Sequence, residues 1–194
     1  MHELQESPDK GCAAPPEQLD LRVARHVRSY RCRCGNRIFF RNTLCLSCQS
    51  QLGYLPDDGR LAALDPGAAP GTWRADGRGD VLKFCANRDS PAICNWITDA
   101  QNSDGYCIAC RLNRTIPNLG DADNARYWAK LEIAKRRVVS ELLAFGLPLR
   151  SKVDEDSERG LMFDMLRSPP GGPPVMTGHA NGLITINEIG RAHV

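Results

Sequence analysis

Large apolar anchors are scarce in this sequence. Phe, Trp and Tyr together make up 6% of its 194 residues, too few to build one extended core. An excess of one charge is also missing. Lys plus Arg number 25 and Asp plus Glu 23, a formal net charge of +2, which by itself argues for no polyanionic partner. No apolar run approaches the roughly 20 residues that span a bilayer, so no membrane partner is expected. The opening stretch MHELQESPDKGCAAPPEQ is polar throughout. A secretory signal is therefore not expected, and the cytoplasm is the expected location. Histidine is rare: His2, His26, His179 and His193 are all there is, and no two are four residues apart. That excludes a His-Glu-x-x-His zinc-hydrolase helix within these residues.

What the sequence has instead is cysteine, proline and glycine: 9, 13 and 17 residues. Many turns and small cores need a staple other than apolar burial. In a reducing compartment clustered thiols favour metal over disulfide, and an odd total argues against complete pairing. Eight of the nine fall into two groups. Cys32 and Cys34 are one residue apart and are followed by the CxxC step of Cys45 and Cys48. Gly35, Asn36 and Ser47 suit the tight turns that present two sulfurs to one ion, and NRIFFRNTL between the pairs has the content of a hairpin strand. Two knuckles joined through a hairpin make a zinc ribbon. The second group is Cys85, Cys94, Cys107 and Cys110, with one clear knuckle in GYCIACRLNRT. A loop must fold back to bring Cys85 and Cys94 together. A cross-braced arrangement, with ligand pairs interleaved between two sites, is the rival to two sequential quartets. A thioredoxin-like CxxC would need a strand-to-helix junction, which neither step has. Iron in a rubredoxin-like shell is the chemical alternative to zinc. A four-thiolate shell leaves no open position for water, so two structural Zn2+ sites are expected.

Along the chain, residues 1–27 read as a disordered tail with Cys12 as an isolated free thiol. Residues 28–115 read as a zinc-ribbon region holding both quartets, with LPDDGRLAALDPGAAPGTW as a turn-rich connector. Residues 116–194 read as an α+β segment. In it DADNARYWAKLEIAKRRVVSELLAFG predicts one long helix capped by Asp121 and stopped by Gly146 and Pro148, with Trp128, Leu131, Val138, Leu142 and Phe145 on its buried face. GLMFDML predicts a strand, and Asn181-Gly182 in VMTGHANGLITIN predicts a β-hairpin. The fold expected is thus a small zinc-stabilised β region, a zinc ribbon, followed by an α+β segment with one long helix and a hairpin.

The segments YRCRCGNRIFFRNTLCLSCQSQLGYLPD, CANRDSPAICNWITD, CIACRLNRTIPNL and PPVMTGHANGLITIN together resemble a bacterial family of zinc-binding metallopeptidases with an N-terminal zinc ribbon. The resemblance runs from about Tyr30 to Asn187. It implies a larger second domain in which two histidines on a His-Glu-x-x-His helix hold a catalytic zinc and the glutamate serves as general base. This sequence departs from that pattern. Glu188-Ile189-Gly190 echoes the middle of the motif, but Asn187 and Arg191 flank it where imidazoles are needed. The resemblance then implies the N-terminal part of the peptidase-like domain, without its catalytic helix.

Three functions compete on this evidence. The leading one is a zinc-binding protein whose ribbon supports the fold or meets a partner protein, with no peptidase activity in this chain. The second is a nucleic-acid binder, since Arg22, Arg25, Arg28, Arg31, Arg33, Arg37 and Arg41 gather around Tyr30, Phe39 and Phe40, a pattern suited to phosphate contact and base stacking. The third is a hydrolase built on another constellation, but Asp154, Glu155, Asp156 and Glu158 read as a solvated loop. His179 reads as a turn histidine bonded to local backbone.

Overall fold

The computed structural model describes residues 29–187. The expected N-terminal tail with Cys12, His2 and His26, and the terminal Glu188-Ile189-Gly190 with His193, lie outside the described residues. Among the described residues there are one α-helix, two short 3-10 helices and eleven strands, more sheet than the sequence suggests.

A two-stranded antiparallel ribbon comes first: β1 (Ser29–Arg31) pairs with β2 (Arg37–Phe39), Tyr30 opposite Ile38. A five-stranded antiparallel meander follows, made of β3 (Gln51–Leu55), β4 (Arg60–Pro66), β5 (Trp73–Ala75), β6 (Leu82–Phe84) and β7 (Ile97–Asp99), in that order. The meander curls on itself. Tyr54 of β3 bridges to Trp96, just before β7, and Tyr54 N–H donates to Asn95 O at 2.8 Å.

This meander corrects the expectation of a connector over residues 55–73. RLAALDP reads as a turn-flanked apolar run rather than an alternating strand because both faces of β4 are covered. Leu61 and Ala63 point into the large core, and Ala62 and Leu64 into a smaller one with Leu55, Ala75, Leu82 and Ile97 inside the curl. The turn residues Asp57, Asp58 and Gly59 make a tight hairpin, with Gly59 at φ +61°.

The rest of the chain builds a second sheet. β8 (Asn113–Thr115) and β9 (Met162–Leu166) are parallel, joined through α1 (Ala122–Ala144), as parallel neighbours require a long crossover. β10 (Gly178–Ala180) and β11 (Leu183–Asn187) form the expected hairpin on Asn181 and Gly182, both at positive φ, and β11 then pairs in parallel with β9. The order is β10-β11-β9-β8. Asp121 caps α1 as expected, accepting from Asp123 N–H and Asn124 N–H.

The buried face of α1 differs from the expected stripe. Trp128 is buried, but Val138 and Phe145 are 54% and 62% exposed. The inward residues are Asn124, Trp128, Glu132, Lys135, Arg136, Val139 and Ser140. A helix that buries three charged residues hides its inner face from a reading based on apolar spacing. Contrary to the expectation drawn from so few aromatics, one extended core joins the two larger sheets, because five of the described aromatics are placed in it: Ile38, Phe40, Tyr54 and Trp96 from the first half are continuous with Leu112, Trp128, Val139, Phe163 and Met165 from the second.

Candidate metal centres

Each quartet is assembled by local backbone geometry. At the first knuckle Cys32 N–H donates to Asn36 O at 2.9 Å and Gly35 N–H to Cys32 O at 2.9 Å, a turn that Gly35 completes at φ +85°. At the second, Cys45 N–H donates to Ser50 O and Gln49 N–H returns to Cys45 O, with Gln49 at φ +60°. Antiparallel β1 and β2 set the first knuckle, and β3 starts directly after the second. Four thiols converge: Sγ of Cys32 and Cys48 are 3.6 Å apart, and Sγ of Cys34 and Cys45 3.7 Å.

The second quartet is threaded differently. Cys85 follows β6, Cys94 precedes β7, and a single 3-10 turn (Ala86–Asp89) folds the chain back between them, with Cys94 N–H donating to Asn87 O at 3.0 Å. Cys107 and Cys110 form the remaining knuckle, closed by Arg111 N–H to Cys107 O at 3.0 Å. Cys94 Sγ is 3.9 Å from Cys107 Sγ and 3.8 Å from Cys110 Sγ.

The fit to zinc is a matter of size. Zinc–sulfur bonds of about 2.3 Å in a tetrahedron place the sulfurs about 3.8 Å apart. The separations here are 3.6–3.9 Å, and within each quartet one ligand atom per residue lies within 4.8 Å of every other. The eight described cysteines are free thiols, and the two groups are compatible with two structural zinc sites. These are also the only such groups among the described residues: no third cluster mixes His, Asp, Glu or Cys.

The two sites differ in surroundings. In the first, Cys32 and Cys45 are buried and Cys34 and Cys48 exposed. Backbone N–H groups of Cys48 and Ser47 aimed at Cys45 pull its thiol down to about 6, and the Ser50 hydroxyl, 3.2 Å from Cys48 Sγ, lowers that thiol as well. Burial pushes Cys32 up to about 12. Asn36 Nδ2 donates to Cys45 Sγ at 3.8 Å. N–H groups facing sulfur offset thiolate charge and fix ligand orientation.

In the second, all four thiols are buried, and burial pushes Cys107 well above the usual thiol range. A charged network from α1 and β8 stands beside it. Glu132 Oε2 lies 3.8 Å from Cys110 Sγ. Glu132 Oε1 accepts from Lys135 Nζ at 2.7 Å and from Asn113 Nδ2 at 3.0 Å, and Lys135 Nζ also donates to Asn113 Oδ1 at 2.5 Å. Glu132 and Lys135 side chains are 0% and 1% exposed. Sequence reading missed this network, because a Glu–Lys pair three apart on a helix ordinarily marks a solvated face. The one available signal was position: Glu132 is four residues after the buried Trp128, on the same helical face.

The other singled-out residues are dispersed. Arg31 donates to Gly35 O, Arg33 pairs with Asp65 at 2.8 Å, and Arg37 stands over the Phe39 ring at 5.5 Å; Arg22, Arg25 and Arg28 lie outside the described residues. His179 sits on exposed β10 opposite Ile184, a strand position rather than the turn itself. Glu155 of the acidic run holds Arg111 at 2.9 Å and accepts from Ser151 N–H, so that loop is organised locally. Among the described residues no helix is long and apolar enough to cross a membrane.

With this geometry in hand, comparison with known proteins is informative. Residues 29–121 match a zinc-ribbon domain family, and residues 124–192 match the family described as "Putative zinc-binding metallo-peptidase". The chain is similar to uncharacterized proteins of Mycobacterium tuberculosis (strain ATCC 25618 / H37Rv) and Mycobacterium bovis (strain ATCC BAA-935 / AF2122/97), 36% identical over 162 residues in each case. The similarity covers 83% of this chain and 43% of each relative, so the chain spans less than half the length of the curated relatives it matches. No solved structure matches.

Proposed function

We propose, from the match of residues 29–121 to a zinc-ribbon domain family and of residues 124–192 to a zinc-binding metallopeptidase family, that this chain is a zinc-binding protein in which both ions are structural. Cys32, Cys34, Cys45 and Cys48 hold one ion, and Cys85, Cys94, Cys107 and Cys110 hold the other. Residues 28–115 serve as the ribbon region and residues 116–194 as the N-terminal part of a peptidase-like domain. The ribbon supports that domain and offers a surface to a protein partner. The reading rests on one observation: each cage closes on four sulfurs, which leaves no position for the water that a catalytic zinc must activate. Free thiols at every described cysteine suit a reducing, cytoplasmic setting.

Metal analysis of protein purified without added metal tests this directly. The expected content is close to two zinc ions per chain, with no cleavage of casein or generic peptides with or without added zinc. Mainly iron, a single ion, or cleavage abolished by a chelator and traced to this chain would each overturn it. The nucleic-acid reading draws support only from Arg37 stacked on Phe39, itself 44% exposed. A gel-shift series that weakened steeply with salt would revive it.

A further inference from the structure

A pocket of about 420 Å³ opens between the first ribbon and α1. Its walls are apolar, chiefly Phe40, Ile93 and Ile133. Its charged residues are Arg41, Arg126, Lys130 and Arg136, and no acid lines it. Arg126 is engaged by Asp123 at 3.0 Å on the exposed helix surface, whereas Arg136 is 4% exposed and has no ion pair among the described residues.

Arg136 is the unusual member. Its Nη2 donates to Ala92 O at 2.9 Å, and its Nη1, shut off from water, has no partner among the described residues. A buried cation without a counter-charge is costly and calls for a compensating group. Guanidinium charge is delocalised, so its field reaches the pocket whichever nitrogen faces it. The lip adds a second oddity. Ile93 sits at φ +44° and is 60% exposed. A β-branched residue in that region is strained, and such strain gathers where a structure holds a side chain in place for a purpose.

We propose that this pocket binds a monocarboxylate carried on an apolar body. One deep, uncompensated cation matches one negative charge. The Phe40, Ile93 and Ile133 walls match an aliphatic or aromatic tail, and the volume falls within the range of small-molecule sites, roughly 300–1,000 Å³. Arg41 and Lys130 at the rim draw the anion in. The two sources of such a group are a free aliphatic acid and the C-terminus of a peptide ending in an apolar residue.

The test is titration calorimetry on the full, zinc-loaded chain. Probes are octanoate, a short peptide ending in leucine as free acid and as amide, octyltrimethylammonium and inorganic phosphate. The expected result is saturable binding of octanoate or of the free-acid peptide, which identifies the source. The amide, the quaternary ammonium and phosphate should not compete. Arg136→Met should weaken binding by roughly tenfold or more, as loss of a bond to a charged group does, with zinc content and helical circular dichroism unchanged. If Arg136→Met does not fold, Ile93→Asp and Lys130→Glu, both at exposed positions, carry the test and should weaken binding in the same direction. The proposal is overturned by the absence of saturable carboxylate binding, by equal binding of the ammonium analogue, by full competition from phosphate, or by binding that these variants leave untouched.

Discussion

Glu132 and Lys135 lie wholly inside the protein, beside the second set of thiols. A zinc ion with four thiolates carries net negative charge, and Lys135 is a buried cation joined to that site through Glu132 and Asn113. Groups one shell out from a metal commonly change its affinity 10–100-fold when removed. Lys135→Met should therefore speed zinc release from one of the two sites by about that factor and leave the other unchanged. Two-phase release to a colorimetric chelator reads this out; equal acceleration of both phases, or of neither, would sink it. A different carboxylate sets an acid limb on stability. Arg114 hydrogen-bonded to Asp164 holds that carboxyl below its ordinary value. A group whose folded-state pKa is depressed stabilises above its unfolded pKa of about 3.9, and the contribution fades as pH falls through the folded value. Because Arg114 is 46% exposed, solvent screening keeps the pair's contribution small. Asp164→Asn should lower the urea midpoint at pH 7, and its difference from the parent should shrink as pH falls toward the folded-state value of Asp164. At this scale the thiols were legible because ligand spacing is local in sequence. The buried Glu–Lys pair was not, because only tertiary packing distinguishes it from a solvated pair.

Among the elements, the hairpin and α1 were legible and the five-stranded meander was not. Asn181-Gly182 and the Asp121 cap are chemical signals confined to two or three residues. β4 carries no such signal, since its two faces feed two separate cores and its alternation disappears. The hairpin also shows what sequence reading leaves out. Gly182 is needed for its φ of +79°, and a Cβ there would also stand 2.1 Å from Gly160 O. Its carbonyl accepts from Met162 N–H at 2.9 Å, tying the turn to the start of β9. The left-handed conformation alone costs a non-glycine residue about 1–2 kcal/mol, and the backbone clash adds to it. Gly182→Ala should destabilise the fold by more than that conformational cost, whereas Gly59→Ala, at φ +61° with open space around it, should cost about the conformational amount only. Chemical denaturation of the two variants compares them, and equal losses would remove the clash from the explanation.

For the whole molecule, the two metal sites stand in different relations to the core. The first closes a ribbon at the surface, with Cys34 and Cys48 exposed. The second is embedded where the halves meet: all four of its cysteines, Cys85, Cys94, Cys107 and Cys110, belong to the buried cluster that holds Trp96, Trp128 and Phe163, whereas the first site contributes only Cys32 and Cys45 to it. Nothing in the spacing of Cys85 and Cys94 announces this, because the contact partners of that site come from a helix more than twenty residues downstream. The consequence is a difference in reach. Structural zinc contributes on the order of 10–16 kcal/mol in small domains at neutral pH, comparable to a whole domain's stability. Cys48→Ala should release the ribbon that contains β1 and β2. β3 should persist, since its five residues pair with β4 and bury Leu52 and Tyr54. Cys94→Ala, at a thiol with 0% exposure, should instead unfasten the seam between the sheets and expose α1 together with β6 and β7. Hydrogen exchange read by peptide separates these outcomes. Protection lost around Ile38 alone in the first variant, and around Trp96, Trp128 and Phe163 in the second, is the expected pattern. The same footprint in both variants would mean that the two ions hold a single cooperative unit and that the distinction between surface and seam carries no energetic weight.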